Sequence, residues 1–138
     1  MKVLVSACLL GRNCKYNGGN NFNEELVKLL ESYEILPVCP EVLGGLSTPR
    51  KPAEIVNGVV RTKDGESYDQ QFRKGASQVV DMIKNEKIAF AVLQSRSPSC
   101  GVRQVYDGTF TKRLIEGKGI LAKELDCLGI RLIDSEEI

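Results

Sequence analysis

Short apolar runs alternate with longer amphipathic segments along this chain of 138 residues. Three of the runs are rich in large aliphatic residues and too short for core helices, which predicts strands buried on both faces. These strands are predicted at 2–8, 35–38 and 88–94, and a fourth at 130–133. The pattern therefore predicts a sheet whose central strands have no solvent-facing side.

Three segments between these strands carry apolar residues at helical spacing. The first predicted helix follows an N-cap at Asn23 and runs to about Tyr33. The second is capped by Ser67 and runs to about Asn85, and the third covers 117–128. Strands and helices thus alternate, which favours right-handed crossovers and a parallel sheet.

Two short hairpins are predicted between these elements. Asn57-Gly58 lies between apolar pairs in 55–60, and Asp107-Gly108 lies within 102–110. The expected fold class is α/β, with a Rossmann-like parallel sheet of about four strands flanked by helices and carrying small hairpin insertions. The length predicts a single domain, 1–138.

Each of the three buried strands leads into a turn segment that contains a cysteine: Cys8, Cys39 and Cys100. The carboxyl ends of parallel strands meet at one sheet edge, where α/β proteins bind ligands. Three thiols at one edge favour a soft metal, and an iron–sulfur cluster in particular because the chain has no histidine. Spacing alone leaves structural cysteines as an equal alternative.

The absence of histidine also excludes Ser-His-Asp and Cys-His catalysis within the chain. Acid–base chemistry must come from other side chains or from metal-bound water. A net charge of +1 gives no general attraction to nucleic acid or membranes. No apolar run approaches the roughly 20 residues of a membrane-spanning helix. We expect a cytoplasmic protein with neither a nucleic-acid nor a membrane partner.

Two further cysteines need separate interpretations. Cys14 follows Cys8 by six residues in a loop rich in Gly and Asn, so it could reach the same site as a fourth ligand. A filled fourth position would make the cluster structural or electron-transferring. Cys127 lies within the last predicted helix and is interpreted as packing in the core or between helices. An odd number of cysteines argues against a disulfide framework.

Several polar residues near these cysteines are candidates for catalysis or binding. Glu41 follows the second cysteine by two residues and is a candidate acid–base group. Ser97 and Ser99 flank a proline and could orient a small substrate or cap a turn. Arg50 and Arg96 could donate to an anionic or carbonyl group, with ordinary surface charge as the alternative.

Several sequence blocks together resemble the thiouracil desulfurase family. They are Ser-Ala-Cys-Leu-Leu-Gly at 6–11, Lys-Tyr-Asn-Gly-Gly at 15–19, Pro-Val-Cys-Pro-Glu at 37–41 and Ser-Pro-Ser-Cys-Gly at 97–101. The blocks stand in the family's order, and the resemblance covers almost the whole chain. It implies an oxygen-sensitive 4Fe–4S cluster held by Cys8, Cys39 and Cys100, with one iron left open.

The resemblance also implies an activity, the non-redox removal of the thiocarbonyl sulfur of 2-thiouracil or a similar small thiolated pyrimidine-like compound. The products are a uracil-type compound and sulfide. Glu41 matches the acid–base carboxylate and Ser97 the active-site serine, while Ser99, Arg50 and Arg96 are candidate substrate-binding residues.

Two alternatives to the desulfurase remain open from the sequence. One is a non-catalytic iron–sulfur or zinc binding protein, which would use Cys14 as a fourth ligand. The other is a metal-free enzyme with Cys39 or Cys100 as nucleophile, activated by the positive charge of Arg96. The sequence does not determine the oligomeric state.

Overall fold

A computed structural model describes residues 2–137, which form a parallel sheet with helices on both faces and two small hairpins. In chain order the elements are β1 (Lys2–Ser6), α1 (Glu24–Leu29), β2 (Glu34–Val38), α2 (Pro40–Leu43), β3 (Ala53–Val56), β4 (Val59–Thr62), α3 (Asp69–Ile83), β5 (Ile88–Leu93), β6 (Gln104–Tyr106), β7 (Leu114–Glu116), α4 (Ile120–Cys127) and β8 (Leu132–Asp134). The main sheet has the order β2-β1-β5-β8, and its strands are all parallel. The predicted fold class is confirmed.

The central strand β1 is apolar because both of its faces are covered. Leu4 packs with side chains of α3 and α4, whereas Val3 and Val5 pack with those of α1. All three are fully buried. Alternate residues of a strand point to opposite faces, so an uninterrupted apolar run is needed only where both faces are covered.

The first strand and helix are shorter than the sequence predicts. β1 ends at Ser6, and Ala7–Leu10 forms a 3₁₀ helix that is closed by Gly11 at φ +93°. The side chain of Asn23 accepts the N–H of Leu26 at 3.1 Å, which confirms the predicted cap. The helix nevertheless ends at Leu29 instead of about Tyr33, because the N–H groups of Glu31 and Tyr33 donate to carbonyl groups three residues back, at 3.4 and 3.0 Å, and so leave the α-helical pattern.

The other two predicted helices, unlike the first, begin later than predicted. Ser67 accepts the N–H of Asp69 at 3.4 Å, but Tyr68 is the residue at the N-cap of α3. The start of α4 is set by Gly119, which lies directly against the backbone of Ser99. The prediction that Cys127 packs in the core or between helices is wrong, because its side chain is exposed: it lies two residues after the buried Leu125, on the opposite side of the helix.

The first hairpin is confirmed, and the second is paired differently from the prediction. Asn57 and Gly58 both have positive φ, +50° and +80°, as a two-residue hairpin turn requires. In the second hairpin β6 pairs with β7, and 107–113 connects them. The N–H of Gly108 donates to Glu54 of β3 at 3.0 Å, so this turn is anchored to the first hairpin.

The sequence does not predict the short helix α2, because Gly44-Gly45 argues against a long regular element in this segment. The structure gives these small residues a packing role. A Cβ at Gly44 would lie 1.8 Å from the carbonyl oxygen of Gln71, and one at Gly75 would lie 1.7 Å from that of Pro40. Only glycine permits so close an approach of α2 to α3, and this approach sets the position of the residues at the start of α2.

Among residues 2–137 there is no helix with both the length and the apolar character needed to cross a membrane. The prediction of a single domain over 1–138 stays a prediction.

Gly75→Ala tests the close contact between α2 and α3. Helix propensity alone would make this substitution stabilising by roughly 0.5–1 kcal/mol. We expect instead a destabilisation of about 2 kcal/mol or more, because the new methyl group overlaps the carbonyl oxygen of Pro40. Urea unfolding measures the difference. Ser77→Ala on the exposed face of the same helix is the control and should be close to neutral. A stabilised Gly75→Ala chain would contradict the packing.

Candidate functional site

Cys8 lies in the 3₁₀ helix that follows β1, at the carboxyl edge of the sheet. The side-chain amide of Asn21 donates to its Sγ at 3.5 Å, and the backbone N–H of Asn21 donates to its carbonyl at 2.9 Å. The thiol is half-buried. Asn21 therefore holds Cys8 from two sides, a role for which sequence analysis found no indication beyond the polar character of the loop.

Cys39 and Cys100 follow the two strands that flank β1. Cys39 is the N-cap residue of α2, directly after β2. Cys100 follows β5 in the turn 97–101, where the hydroxyl of Ser97 accepts the N–H groups of Ser99 and Cys100 at 3.2 and 3.1 Å. Because β1 lies between β2 and β5, the segments that carry the three predicted cysteines are neighbours at one edge. The sequence argument for their convergence agrees with this placement.

Cys14 joins the same group of thiols. Its carbonyl oxygen lies 3.9 Å from the Sγ of Cys39, and hydrogen bonding with the Cys14 thiol is the main cause that lowers the pKa of Cys8 and the pKa of Cys39 to about 7. The same two bonds, with burial, raise the pKa of Cys14 well above its usual range. The loop thus brings a fourth thiol to the edge, the possibility that the sequence left open.

Cys100 has a different environment from the other three thiols. It is 4% exposed, and burial raises its pKa to about 12 against the opposing effect of hydrogen bonds with Ser6 and Ser99. A thiol held in this way is a poor nucleophile as a free group, but metal coordination removes its proton.

The chemistry of the donor set is compatible with an iron–sulfur cluster, because such clusters are held by cysteine thiolates and the edge carries several cysteines with free thiols. Among residues 2–137, no three Cys, Asp or Glu side chains close around one point in a way that could hold one metal ion.

Glu41 lies among these thiols and is held at both carboxylate oxygens. Its Oε1 accepts the Nε–H of Arg50 at 3.0 Å, and its Oε2 accepts the hydroxyl of Ser99 at 2.9 Å. The Ser99 oxygen is also 3.6 Å from the Sγ of Cys100. A carboxylate therefore stands one hydroxyl away from a buried thiol, a position suited to an acid–base group.

The structure separates the two serines that the sequence could not. Ser97 uses its oxygen to cap the turn that carries Cys100. Ser99 is the serine that reaches Glu41, and its hydroxyl lies 3.0 Å from that of Ser97. The geometry therefore gives Ser99 the closer relation to the candidate acid–base group, whereas the resemblance points to Ser97.

The two arginines predicted to bind substrate are both occupied by protein groups. The Arg50 side chain is 4% exposed and donates to Glu41, to the carbonyl of Cys14 at 2.8 Å, and to groups of residues 47–48. Arg96 donates to both carboxylate oxygens of Glu136, at 2.7 and 3.1 Å. Arg50 thus belongs to the site as a partner of other residues. The guanidinium of Arg96 is directed to Glu136, which removes the reason for regarding it as the activator of a cysteine nucleophile.

Comparison with known proteins identifies the family of this chain. The family model described as 2-thiouracil desulfurase matches residues 3–137. A Bacillus subtilis (strain 168) protein, uncharacterized protein YbbK, is 36% identical over 146 residues, which cover 99% of this chain and 97% of that protein. The solved structure of a [4Fe-4S]-dependent thiouracil desulfidase, TudS, superposes with a TM-score of 0.92 at 35% identity, over 99% of this chain and 92% of that one. The predicted family is confirmed: this chain belongs to the 2-thiouracil desulfurase family.

Proposed function

We propose that this chain is a 4Fe–4S-dependent desulfurase that removes the thiocarbonyl sulfur of 2-thiouracil or a similar small thiolated compound. One observation carries the proposal: Glu41 and Ser99 lie against Cys100 at a sheet edge lined with thiols. The family match and the printed name of the structural neighbour support it. The net reaction replaces C=S and water by C=O and hydrogen sulfide, so it needs no electron donor.

The thiols of Cys8, Cys39 and Cys100 would hold the cluster, which supplies a sulfur-binding Lewis acid when present. Glu41 is the group suited to take a proton from the attacking water, since its carboxylate is an acceptor with a fixed orientation. Ser99 donates to one oxygen of that carboxylate and keeps it directed toward Cys100. These roles use only groups that the fold already brings together.

Arg50 is a positioning residue for Glu41 in this proposal. Its guanidinium connects three segments, because it donates to Glu41 of α2, to the carbonyl of Cys14 in the first loop, and to the carbonyl of Ser47. A buried guanidinium with these partners keeps the charge of the neighbouring carboxylate compensated. The substrate would then be recognised by other groups at the edge.

The partner we propose is a small thiolated pyrimidine-like molecule, with no nucleic acid and no membrane. We also propose a cytoplasmic location. All five cysteines have free thiols, and four of them lie at the candidate site. Thiols that must stay reduced to bind iron are suited to a reducing compartment.

A second candidate is a non-catalytic iron–sulfur protein, favoured by one observation. The half-buried Cys14 lies beside the proposed ligands, with its carbonyl oxygen 3.9 Å from the Sγ of Cys39, and four cysteines are the usual ligand set of clusters that only transfer electrons. The two candidates differ in a simple measurement, which is the release of sulfide from 2-thiouracil by the loaded protein.

Alanine substitutions of the three proposed ligands should remove both the cluster and the activity. After anaerobic reconstitution we expect about four irons in the parent chain and a loss of most of them in Cys8→Ala, Cys39→Ala and Cys100→Ala. Iron and sulfide counting, followed by a sulfide-release assay, gives the result. Cys127→Ala removes an exposed thiol outside the site and should retain the parent values. A Cys100→Ala chain that released sulfide without iron would refute the mechanism.

The two serines should respond differently to substitution. Ser99→Ala removes a donor to a carboxylate, so we expect kcat for sulfide release to fall roughly tenfold or more with iron content unchanged. Ser97→Ala removes the acceptor of two backbone N–H groups, so the main expected effect is about 1 kcal/mol of lost stability. Measuring kcat and the free energy of unfolding in urea for both variants decides which serine assists Glu41 and which one stabilises the turn. Loss of kcat in Ser97→Ala alone would reverse our assignment.

Arg50→Met should destabilise the fold far more than the same change at the adjacent Lys51. Removing Arg50 leaves the largely buried Glu41 without its partner, which costs about 3–5 kcal/mol. The Lys51 side chain is 51% exposed and pairs with exposed carboxylates, so Lys51→Met should have little effect. Urea unfolding compares the two. In the double variant Arg50→Met/Glu41→Gln we expect part of the loss to be recovered, and equal effects at positions 50 and 51 would be evidence against the buried pair.

A further inference from the structure

The chain between β5 and the turn 97–101 is held by residues that follow β8. The hydroxyl of Ser135 accepts the N–H of Ser95 at 3.1 Å, and both residues are buried. The carboxylate of Glu136 accepts two N–H groups of Arg96, at 2.7 and 3.1 Å. A bidentate pair of this kind fixes direction as well as distance. The entry to the turn is therefore tied to the end of the neighbouring strand.

Arg96 has a backbone conformation that residues with side chains rarely adopt. Its φ is +59°, in the left-handed region, and it directly precedes Ser97. Because a side chain makes this conformation costly in free energy, the surrounding contacts must offset the cost. The pair with Glu136 is one such contact, and an isolated parallel bridge with Val105 is another. The direction in which the chain enters the turn thus depends on how Arg96 is held.

Glu136 is fixed from the sheet but its carboxylate stays within reach of solvent ions. Its backbone N–H donates to the carboxylate of Asp134 at 2.9 Å, and Asp134 is paired with Leu93 where β8 and β5 end. The side chains of Arg96 and Glu136 line two cavities, of about 510 and 580 Å³. Salt ions that enter these cavities weaken the pair by screening its charges.

The later part of the turn is held in a different way. Two N–H groups at the start of α4 donate to the carbonyls of Pro98 and Ser99, at 2.9 and 2.8 Å. These bonds join uncharged backbone groups, so salt has little effect on them. The pair between Arg96 and Glu136 is thus the charged part of the support of the turn.

We propose that Glu136 is a positioning residue for the Ser99 hydroxyl. By fixing Arg96 it sets the course of the turn, and the turn places this hydroxyl 2.9 Å from the carboxylate of Glu41. A displacement of about 1 Å breaks such a hydrogen bond and can slow a reaction roughly a hundredfold. This inference rests on the proposed function, and it gives a part in that reaction to a residue that does not touch the substrate.

Glu136→Gln keeps the size of the side chain but places an amide NH₂ group against the guanidinium, so the bidentate pair is lost. In the loaded protein at low salt we expect kcat for sulfide release from 2-thiouracil to fall about fivefold with KM and iron content unchanged. The midpoint of urea unfolding should shift little, because the pair is partly exposed. Glu124→Gln removes the same charge from an exposed position on α4 and is the control. Equal kcat in the two variants would overturn the proposal.

A double variant tests whether Glu136 acts through Ser99. Once the Ser99 hydroxyl is absent, its position no longer matters, so Glu136→Gln should cause no further loss. We therefore expect Ser99→Ala/Glu136→Gln to have the kcat of Ser99→Ala alone. Losses that multiply in the double variant would show that Glu136 acts by another route and would count against the proposal.

Salt provides a test on the parent chain without any substitution. Raising sodium chloride from about 0.02 M to about 0.5 M screens the exposed pair. The kcat of the parent chain should fall toward that of Glu136→Gln, whereas the kcat of this variant should stay nearly constant. A parallel decline in both chains would place the effect of salt elsewhere and refute the role of the pair.

Hydrogen exchange separates this inference from the proposed function, because it needs no activity. The N–H groups of Ser99 and Cys100, which donate to the Ser97 hydroxyl, should exchange about fivefold faster in Glu136→Gln than in the parent and the control. This result in a protein that releases no sulfide from 2-thiouracil would leave the positioning role standing and remove the desulfurase. Sulfide release with exchange and kcat both unchanged in Glu136→Gln would leave the desulfurase standing and remove the positioning role.

Discussion

The parallel alignment of β2, β1 and β5 is the constraint on which the candidate site depends. Parallel strands end at the same edge, and the central strand brings the segments after its two neighbours next to its own. Cys8, Cys39 and Cys100 are far apart in the chain but each follows one of these strands, directly or after a short turn. Thiols that share a cluster need this convergence and do not need to be close in sequence.

Fine positioning depends on contacts between backbones and on one buried cation. Glycines at the crossing of α2 and α3 allow carbonyl groups to approach where any side chain would collide. Arg50 then ties the start of α2 to the first loop through Glu41 and the carbonyl of Cys14. The Glu41 carboxylate and the thiols are thus placed by the same set of contacts. A substitution that displaces the carboxylate should therefore also displace the segments that carry the thiols.

The four thiols at the edge are not equivalent, and the difference has chemical meaning. Burial makes the free Cys100 thiol hard to ionise, while hydrogen bonds from Cys14 make Cys8 and Cys39 easier to ionise. A metal that bound these thiols would remove the difference, because coordination takes the proton from each thiol.

The amino-acid sequence by itself determined the α/β class, the four parallel strands and the cysteines that follow three of them, because buried strands, turn residues and thiols are local patterns. It also contained the blocks that identify the family. Tertiary structure alone decided that Ser99 and not Ser97 reaches Glu41, that Arg50 faces protein groups, and that Arg96 pairs with Glu136. It likewise placed Cys14 at the site and Cys127 at the surface. These outcomes depend on contacts between segments distant in sequence, such as the backbone contact of α2 with α3, and local spacing carries no information about them.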